Sequence, residues 1–492
     1  MREAAHELSK QSPPPHRPLS VWVKLVYGSG DWSLASFGTL RQIFYAIFLT
    51  DVVGLEPRLA SFAALLGLLW DAVNDPLVGM LSDRVRTRWG RRRPFFLWFA
   101  IPYGLGFVAL WWAPPWSSPW AVAATVMLAF MLSDTLQTLV SIPFYALTPE
   151  ITPDYDERTS LTTYRMFFNL LASLTTAVAA PQILDTALKH GMTQQQGYLL
   201  IAALFGGLAV IPFLLIFAVI REPAHVIAAA DAQGHESLRD TLRAAWANIP
   251  FRFAVALYMF NWITFDLVAL MLPYYLVYYI AQGNLLAQAS LFGVNLALES
   301  AVLGLLLITA VVALPFWNFL ANRWDKRRAY LTGMAFWAVV QLGLYALPPG
   351  ATRTVLLLAA LAGLSVSTAH VLPDAIFPDV IEWDELRTRR RREGLYYGIK
   401  NLVRKLTSAG TIFFALQVLG WVGYQTPPPD ATAFTQPPRV VAAIRFMTGP
   451  VGALILLTAI TIAYFYPLSR ERHARIRRLL ARRRDMARPP RD

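Results

Sequence analysis

Apolar runs long enough to cross a bilayer recur along the whole of this chain. A spanning helix needs about 20 such residues. The runs lie near Trp32–Val53, Leu59–Leu81, Pro94–Trp112, Trp120–Leu147, Leu161–Leu184 and Tyr198–Ile220, then near Phe253–Ile280, Ala301–Leu320, Ala329–Leu347, Val355–Ile381, Leu395–Val422 and Val440–Tyr466. They predict an all-α membrane protein of about twelve transmembrane helices in two six-helix bundles. Composition agrees: 56% of the residues are hydrophobic and 15% charged, whereas a soluble surface needs about 25% charge. The absence of cysteine excludes disulfides, thiolate metal sites and a cysteine nucleophile. The polar, proline-rich start, Met1 to Pro18, lacks the apolar core of a signal peptide, so the first span is expected to direct insertion.

One long polar interruption, Arg221 to Pro250, separates six runs from six. It sets the expected domains: a bundle over 1–220, a central loop over 221–250 with a short surface helix at Ser237–Trp246, a second bundle over 251–467 and a basic tail over 468–492. Orientation follows from the basic loops. Arg84, Arg86, Arg88 and Arg91 to Arg93 lie between spans 2 and 3. Arg323 and Lys326 to Arg328 lie between spans 8 and 9, and Arg387 with Arg389 to Arg392 between spans 10 and 11. The opposite connections, such as Ala113–Pro119, are nearly free of Lys and Arg. The alternation places both termini in the cytoplasm and the chain in the cytoplasmic (inner) membrane. It also accounts for the net charge of +13, and no nucleic-acid-binding module is expected. Trp111, Trp112, Trp116 and Trp120 read as an interfacial belt.

The halves share a local signature. Gly79-Met-Leu-Ser-Asp83-Arg84 with Trp89-Gly-Arg-Arg-Arg93 follows span 2, and Leu320-Ala-Asn322-Arg323-Trp-Asp325-Lys-Arg-Arg328 follows span 8. Parallel six-span repeats are a transporter architecture. Gly79, Asp83, Arg84 and Arg92 are the expected gate, Asp83 pairing with an arginine such as Arg92 or a neighbouring helix end.

These motifs resemble the major facilitator superfamily, through the Gly-x-Leu-Ser-Asp-Arg loop. Three further stretches resemble its glycoside–pentoside–hexuronide:cation symporter family: Trp70-Asp71-Ala-Val-Asn74-Asp75-Pro76, Ile142-Pro-Phe-Tyr145 with Asp154-Tyr-Asp-Glu-Arg158, and Phe377-Pro-Asp379-Val-Ile-Glu382-Trp-Asp384 with Arg391-Arg-Glu393-Gly394. The resemblance implies a secondary active symporter of a sugar, glycoside or related solute, acting as a monomer, with H⁺ or Na⁺ as coupling ion and no cofactor. It also implies that Asp71 and Asp75 form the coupling-cation site, with Asn74, Thr138 and Ser141 beside it. Arg165 and Lys405 match family positions near the central cavity. Sugar-transporting members carry aspartates where this chain has Ala35 and Ser141, and a tryptophan where it has Tyr145. That departure keeps a lysolipid or other amphiphile open as substrate and gives protons added weight as the coupling ion.

The residues support the same reading independently. Ionisable groups at membrane depth cost a few kcal/mol each. Asp71 and Asp75 are four residues apart, on one helical face, and offer hard oxygens to a small cation. Arg41 in span 1 needs an anionic partner. Asp71, Asp134 and Asp266 lie at comparable depth, unless Arg41 serves an anionic substrate. Lys400 and Arg404 either snorkel to the interface or serve the cavity, and His370 with Asp374 is either a protonatable pair or a satisfied buried histidine. An alternative from another class, a Mg²⁺-dependent membrane prenyltransferase, would need two carboxylate clusters on one cavity. The later acidic group, Asp379, Glu382 and Asp384, falls instead at a helix end beside arginines, so the chain is read as a carrier and not an enzyme.

Overall fold

The computed structural model describes residues 19–152, 155–222, 246–291, 293–324, 326–388, 393–428, 431–468 and a few positions between 472 and 480. The surface helix expected at Ser237–Trp246 falls almost wholly outside them. The first half comprises α1 (Val21–Ile47), α2 (Pro57–Arg84), α3 (Arg93–Leu110), α4 (Pro119–Ile151), α5 (Tyr155–Lys189) and α6 (Gln194–Val219). The second comprises α7 (Ile249–Tyr274), α8 (Leu298–Arg323), α9 (Lys326–Ala346), α10 (Thr352–Thr388), α11 (Glu393–Trp421) and α12 (Pro438–Tyr464). Ten of the twelve are long and apolar enough to cross a membrane among the described residues. The others are α1, which carries Asp31, Arg41 and Gln42, and α10, whose apolar stretch Thr352–Thr368 is shorter.

Local chemistry sets the helix ends. Proline stands in the first turn of α2, α4, α7 and α12, where its missing N–H costs nothing. Thr193 and Gln196 form a reciprocal capping box at the start of α6, satisfying two orphan donors. Asn248 caps α7 by accepting from the Phe251 N–H at 3.2 Å. Three helices pass into π-helical turns at the end away from the arginine-rich loops: α1 over Phe48–Val52, α7 over Tyr275–Ile280, and α12 within its length over Met447–Val451. The turns of α1 and α7 occupy corresponding places in the two halves, as a repeat requires. A hairpin not foreseen from the sequence, β1 (Gln288–Leu291) paired antiparallel with β2 (Val294–Ala297), joins α7 to α8.

The halves meet along three helix pairs: α1 with α7, α2 with α11, and α5 with α8. Because α2 corresponds to α8 and α5 to α11, the last two contacts are equivalent under a two-fold relation between the halves. The largest apolar cluster runs through the first half. It then crosses the seam away from the arginine-rich loops, where Ile43 to Leu49 and Ala177 share it with Tyr274 to Ile280 and Ala301 to Leu303. Trp111 belongs to this cluster, stacked on Tyr198 at 5.5 Å, and not to the interfacial belt. Trp112, Trp116 and Trp120 are exposed.

Small residues let α3 and α6 approach closely, as in membrane packing generally. A Cβ on Gly104 would lie 2.6 Å from the Gly206 carbonyl oxygen, whereas one on Gly207 would meet nothing within 4 Å. Gly206→Val should therefore destabilise the purified protein by about 1–3 kcal/mol through overpacking, while Gly207→Val leaves it unchanged. Thermal unfolding in detergent checks this, and equal behaviour of the two variants would contradict the packing.

Candidate substrate and coupling site

Charged side chains line the seam in storeys. Helix α1 rises away from the arginine-rich end, and at 1.5 Å per residue Asp31 and Arg41 stand about 15 Å apart along it. Helix α4 presents Asp134, Thr138, Ser141 and Tyr145 at spacings of four, three and four, which keeps them on one face.

Nearest the arginine-rich end, Arg165 of α5 donates to Asp31 of α1 at 2.5 Å. Its guanidinium lies over the ring of Tyr145 at 4.7 Å and over Phe144 at 5.2 Å. All four residues belong to the first half.

The middle storey joins the halves. The Lys405 ammonium on α11 donates to Asp71 at 2.8 Å and also to Asp75, both on α2. Thr138 donates its hydroxyl to Asp75 at 3.2 Å. Asn74 is buried beside them, and its side-chain N–H₂ has no hydrogen-bond partner among the described residues. Ser141 is half-buried one turn beyond Thr138. Lys405, expected beside the substrate, thus sits on the carboxylates expected to hold the cation. Two carboxylates share one ammonium, leaving a negative charge that a monovalent ion would neutralise.

Above it, Arg41 pairs with Asp134 at 3.2 Å, which selects Asp134 from the three expected partners. Asp266 of α7 receives both guanidinium nitrogens of Arg404, at 2.7 and 2.9 Å, and the Gln42 amide at 2.8 Å. Arg404 therefore turns inward and does not snorkel; its guanidinium lies 3.9 Å from the centre of the Trp262 ring. Between these pairs lies a cavity of about 230 Å³. It is lined by polar groups, Arg41, Gln42, Asp266, Arg404 and Ser408, and by apolar ones, Leu49, Phe130, Leu270, Ile412 and Leu416.

At the far end, buried Asp51 accepts hydrogen bonds from Tyr278 of the α7 turn, from Tyr424 beyond α11, and from Thr50 at 2.7 Å. Thr50 in turn meets the Tyr274 hydroxyl at 2.9 Å. Gln417 donates to Ser61 at 2.8 Å. These bonds tie the halves together beyond the cavity. Asp51 was readable as a carboxylate inside the first predicted span, but two of its hydroxyl partners, Tyr278 and Tyr424, are more than 200 residues away in the chain.

At the arginine-rich end the loop before α3 holds a carboxylate of the first half. The backbone N–H groups of Arg91, Arg92 and Arg93 converge on the Glu222 carboxylate at 2.7, 2.8 and 2.9 Å. Gly90, at φ +111°, makes room for it: a Cβ there would lie 2.7 Å from that carboxyl group. Arg92 reaches Ser82 at 2.5 Å, and the Gly79 carbonyl accepts from Ser82 at 2.9 Å. Arg84 is exposed. The side chains of Asp83, His370 and Asp374 lie outside the described residues.

A family model described as MFS/sugar transport protein matches residues 26–470. The chain belongs to the major facilitator superfamily. Relatives of this transporter include an uncharacterized symporter of Synechocystis, 29% identical over 94% of this chain and 97% of that one. The sodium-dependent lysophosphatidylcholine symporter 1-A of Danio rerio is 26% identical over 93% of this chain and 87% of its own. Among solved structures, a bacterial homolog of the human lysosomal transporter Spinster, inward-facing and unoccupied, superposes with a TM-score of 0.65 at 11% identity, over 90% of this chain and 95% of that one. A nucleoside transporter gives 0.63 at 9% identity, over 90% and 98%. This major facilitator protein is thus a multi-pass secondary transporter related to symporters.

The Asp266–Arg404 pair tests how the transporter tolerates charge at depth. Arg404→Ala leaves a buried carboxylate with only Gln42 and should cost about 3 kcal/mol of stability. Arg404→Ala with Asp266→Ala should recover most of that loss in a double-mutant cycle. Additive losses in thermal unfolding would contradict direct pairing.

Proposed function

We propose that this transporter couples the entry of one monovalent cation to the uptake of an amphiphile with a polar or charged head, lysolipid-like in build. The observation that carries the coupling is Lys405 shared between Asp71 and Asp75. An ammonium between two carboxylates leaves one negative charge at membrane depth, and such a charge calls for a counter-ion. Binding that ion removes the repulsion between the carboxylates and draws α2 toward α4 through Thr138. Substrate binding in the adjoining cavity then benefits, and each ligand raises the affinity of the other by the same factor.

The substrate reading rests on the mixed lining of the cavity. Its guanidinium, carboxylate and amide groups suit a polar head, and its leucine, isoleucine and phenylalanine side chains suit part of an apolar chain. The likeness to sodium-dependent lysophosphatidylcholine symporters over more than nine-tenths of this chain supports the same choice. A sugar or glycoside is the second reading. It is favoured by the hydrogen-bonding set of Gln42, Asp266 and Arg404 and by the family model's description. The gate at the arginine-rich end comprises Gly79, Asp83, Arg84 and Arg92. That end faces the cytoplasm, together with both termini, in the cytoplasmic membrane of a transporter that works as a monomer. Bundles over 1–220 and 251–467 move about the seam, the 221–250 segment and the 468–492 tail lying on the cytoplasmic side. The chain acts as a carrier and not an enzyme, takes no cofactor and binds no nucleic acid.

Uptake into proteoliposomes under an imposed Na⁺ or H⁺ gradient tests the proposal, with a labelled lysophosphatidylcholine and a nitrophenyl glycoside as probes. The lysolipid should accumulate. Asp71→Asn and Asp75→Asn should each lower accumulation about tenfold or more while leaving exchange. Unchanged concentrative uptake in both variants would overturn the coupling, and accumulation of the glycoside alone would overturn the substrate class.

A further inference from the structure

A groove of about 370 Å³ lies at the arginine-rich end of the second half, where α8 gives way to α9. Trp324, Arg328, Leu331 and Thr332 line it. Trp324 ends α8, and the other three stand in the first two turns of α9. The groove is therefore built on the corner between two helices, away from the cavity of the seam.

Its lining carries one full charge, and that charge is positive. The Arg328 side chain is exposed and has no hydrogen-bond or ion-pair partner among the described residues. Its neighbour Arg327 is engaged, with its guanidinium over the Tyr464 ring of α12 at 5.2 Å. Thr332 donates its hydroxyl to the Arg328 carbonyl oxygen at 3.0 Å. The donors left in the groove, among the described residues, are the Arg328 guanidinium and the Trp324 indole N–H. Exposed Arg323 adds a positive charge one residue before Trp324, and no carboxylate stands in the lining. Such a donor set suits a phosphate, whose oxygens a guanidinium binds two at a time.

From the groove, α9 presents Thr332, Ala335, Val339 and Leu342 outward, all of them exposed. With Arg328 they follow spacings of four, three, four and three, which keep them on one face of a helix. Tyr330, Met334 and Trp337 of the same helix are buried with Val366 of α10 and Leu456 of α12. Thr332 to Leu342 covers about 15 Å at 1.5 Å per residue, half of a hydrocarbon core about 30 Å thick. A phosphate-binding corner thus stands at the end of an apolar stripe one leaflet long.

We propose that this groove seats one anionic phospholipid of the leaflet at the arginine-rich end. Arg328 and Trp324 hold its phosphate, and an acyl chain runs along Ala335, Val339 and Leu342. Basic pockets between helices at a membrane surface are where lipid head groups bind, and tryptophan favours head-group depth. The local charge selects an anionic head. Arg323, Arg327 and Arg328 lie in one short stretch, and the lining offers no carboxylate to a head-group ammonium. The bound lipid joins Trp324 to Arg328, so it fastens the end of α8 to the start of α9. The site is independent of the ion and substrate reading above.

Native mass spectrometry of the delipidated full-length protein reads the binding. Phosphatidylglycerol or phosphatidylcholine with the same acyl chains is added at matched concentration. Wild type should retain one phosphatidylglycerol about fivefold more tightly than phosphatidylcholine. Arg328→Gln should weaken phosphatidylglycerol about fivefold, the loss expected for one cation at the membrane surface, and leave phosphatidylcholine unchanged. Arg328→Lys keeps the charge and should keep most of the affinity. Arg353→Gln, at an exposed arginine in the first turn of α10 at the opposite end, should change nothing. Inorganic phosphate at the same concentration should not displace the lipid.

Equal retention of the two lipids, or wild-type retention of phosphatidylglycerol in Arg328→Gln, would overturn the site. A matching loss in Arg353→Gln would mark a general effect of charge and overturn it too. Displacement by inorganic phosphate would mark an ion site without a lipid and overturn the choice of occupant.

Discussion

One ammonium group ties two carboxylates of the first half to the second half at the middle of the molecule. Lys405 reaches from α11 across the seam to both carboxylates of α2, and the rest of the arrangement follows from that sharing. An isolated carboxylate at this depth is expensive. Two of them one turn apart repel each other, and one cation between them compensates only partly. The site is thus stable enough to fold, yet left with charge that a small ion can satisfy. The same contact joins the halves at mid-depth, so under the proposed coupling ion binding and the relative position of the halves would act on one set of atoms.

Above and below this point the charges are settled. Arg165 with Asp31, and Arg404 with Asp266 and Gln42, neutralise themselves within their own half or at its edge. Arg404, Asp266 and Gln42 give the cavity polar lining without leaving a demand for an ion. Beyond the cavity, Asp51 with Tyr278, Tyr424 and Thr50 closes the end away from the arginine-rich loops. That closure uses hydroxyl donors, which a moderate rearrangement can release one at a time. The two π-helical turns that carry Asp51 and Tyr278 are local departures from the α-helical ladder, and such turns recur at functional sites. By contrast, the Glu222 carboxylate held by three backbone N–H groups of the loop before α3 anchors an inter-helix loop within one half.

The helices were legible because the bilayer imposes a length and an apolarity that local sequence must meet. Asp71 with Asp75 was legible because one-turn spacing is a local property. Arg41 announced its need for a partner but not which one: choosing Asp134 over Asp71 or Asp266 depends on helix rotation, which no local pattern records. Arg404 looked like a snorkelling residue, since depth along a helix can be counted but the face it presents is set by packing. Trp111 read as part of the interfacial belt until its stacking on Tyr198 placed it in the core. The hairpin Gln288–Ala297 was hidden because its strands are four residues each. The Asp51 cluster was hidden because its members come from three distant segments.

The central claim is that the Lys405 ammonium and an external cation compete for the same two carboxylates. The most direct measurement is the Na⁺ affinity of purified Lys405→Gln against wild type, in the absence of substrate. Removing the ammonium while keeping a polar side chain leaves Asp71 and Asp75 with more negative charge and one fewer competitor. The account predicts tighter Na⁺ binding in the variant, by about tenfold, equivalent to about 1.4 kcal/mol. Unchanged or weaker binding would show that Lys405 does not compete with the ion and would contradict the account.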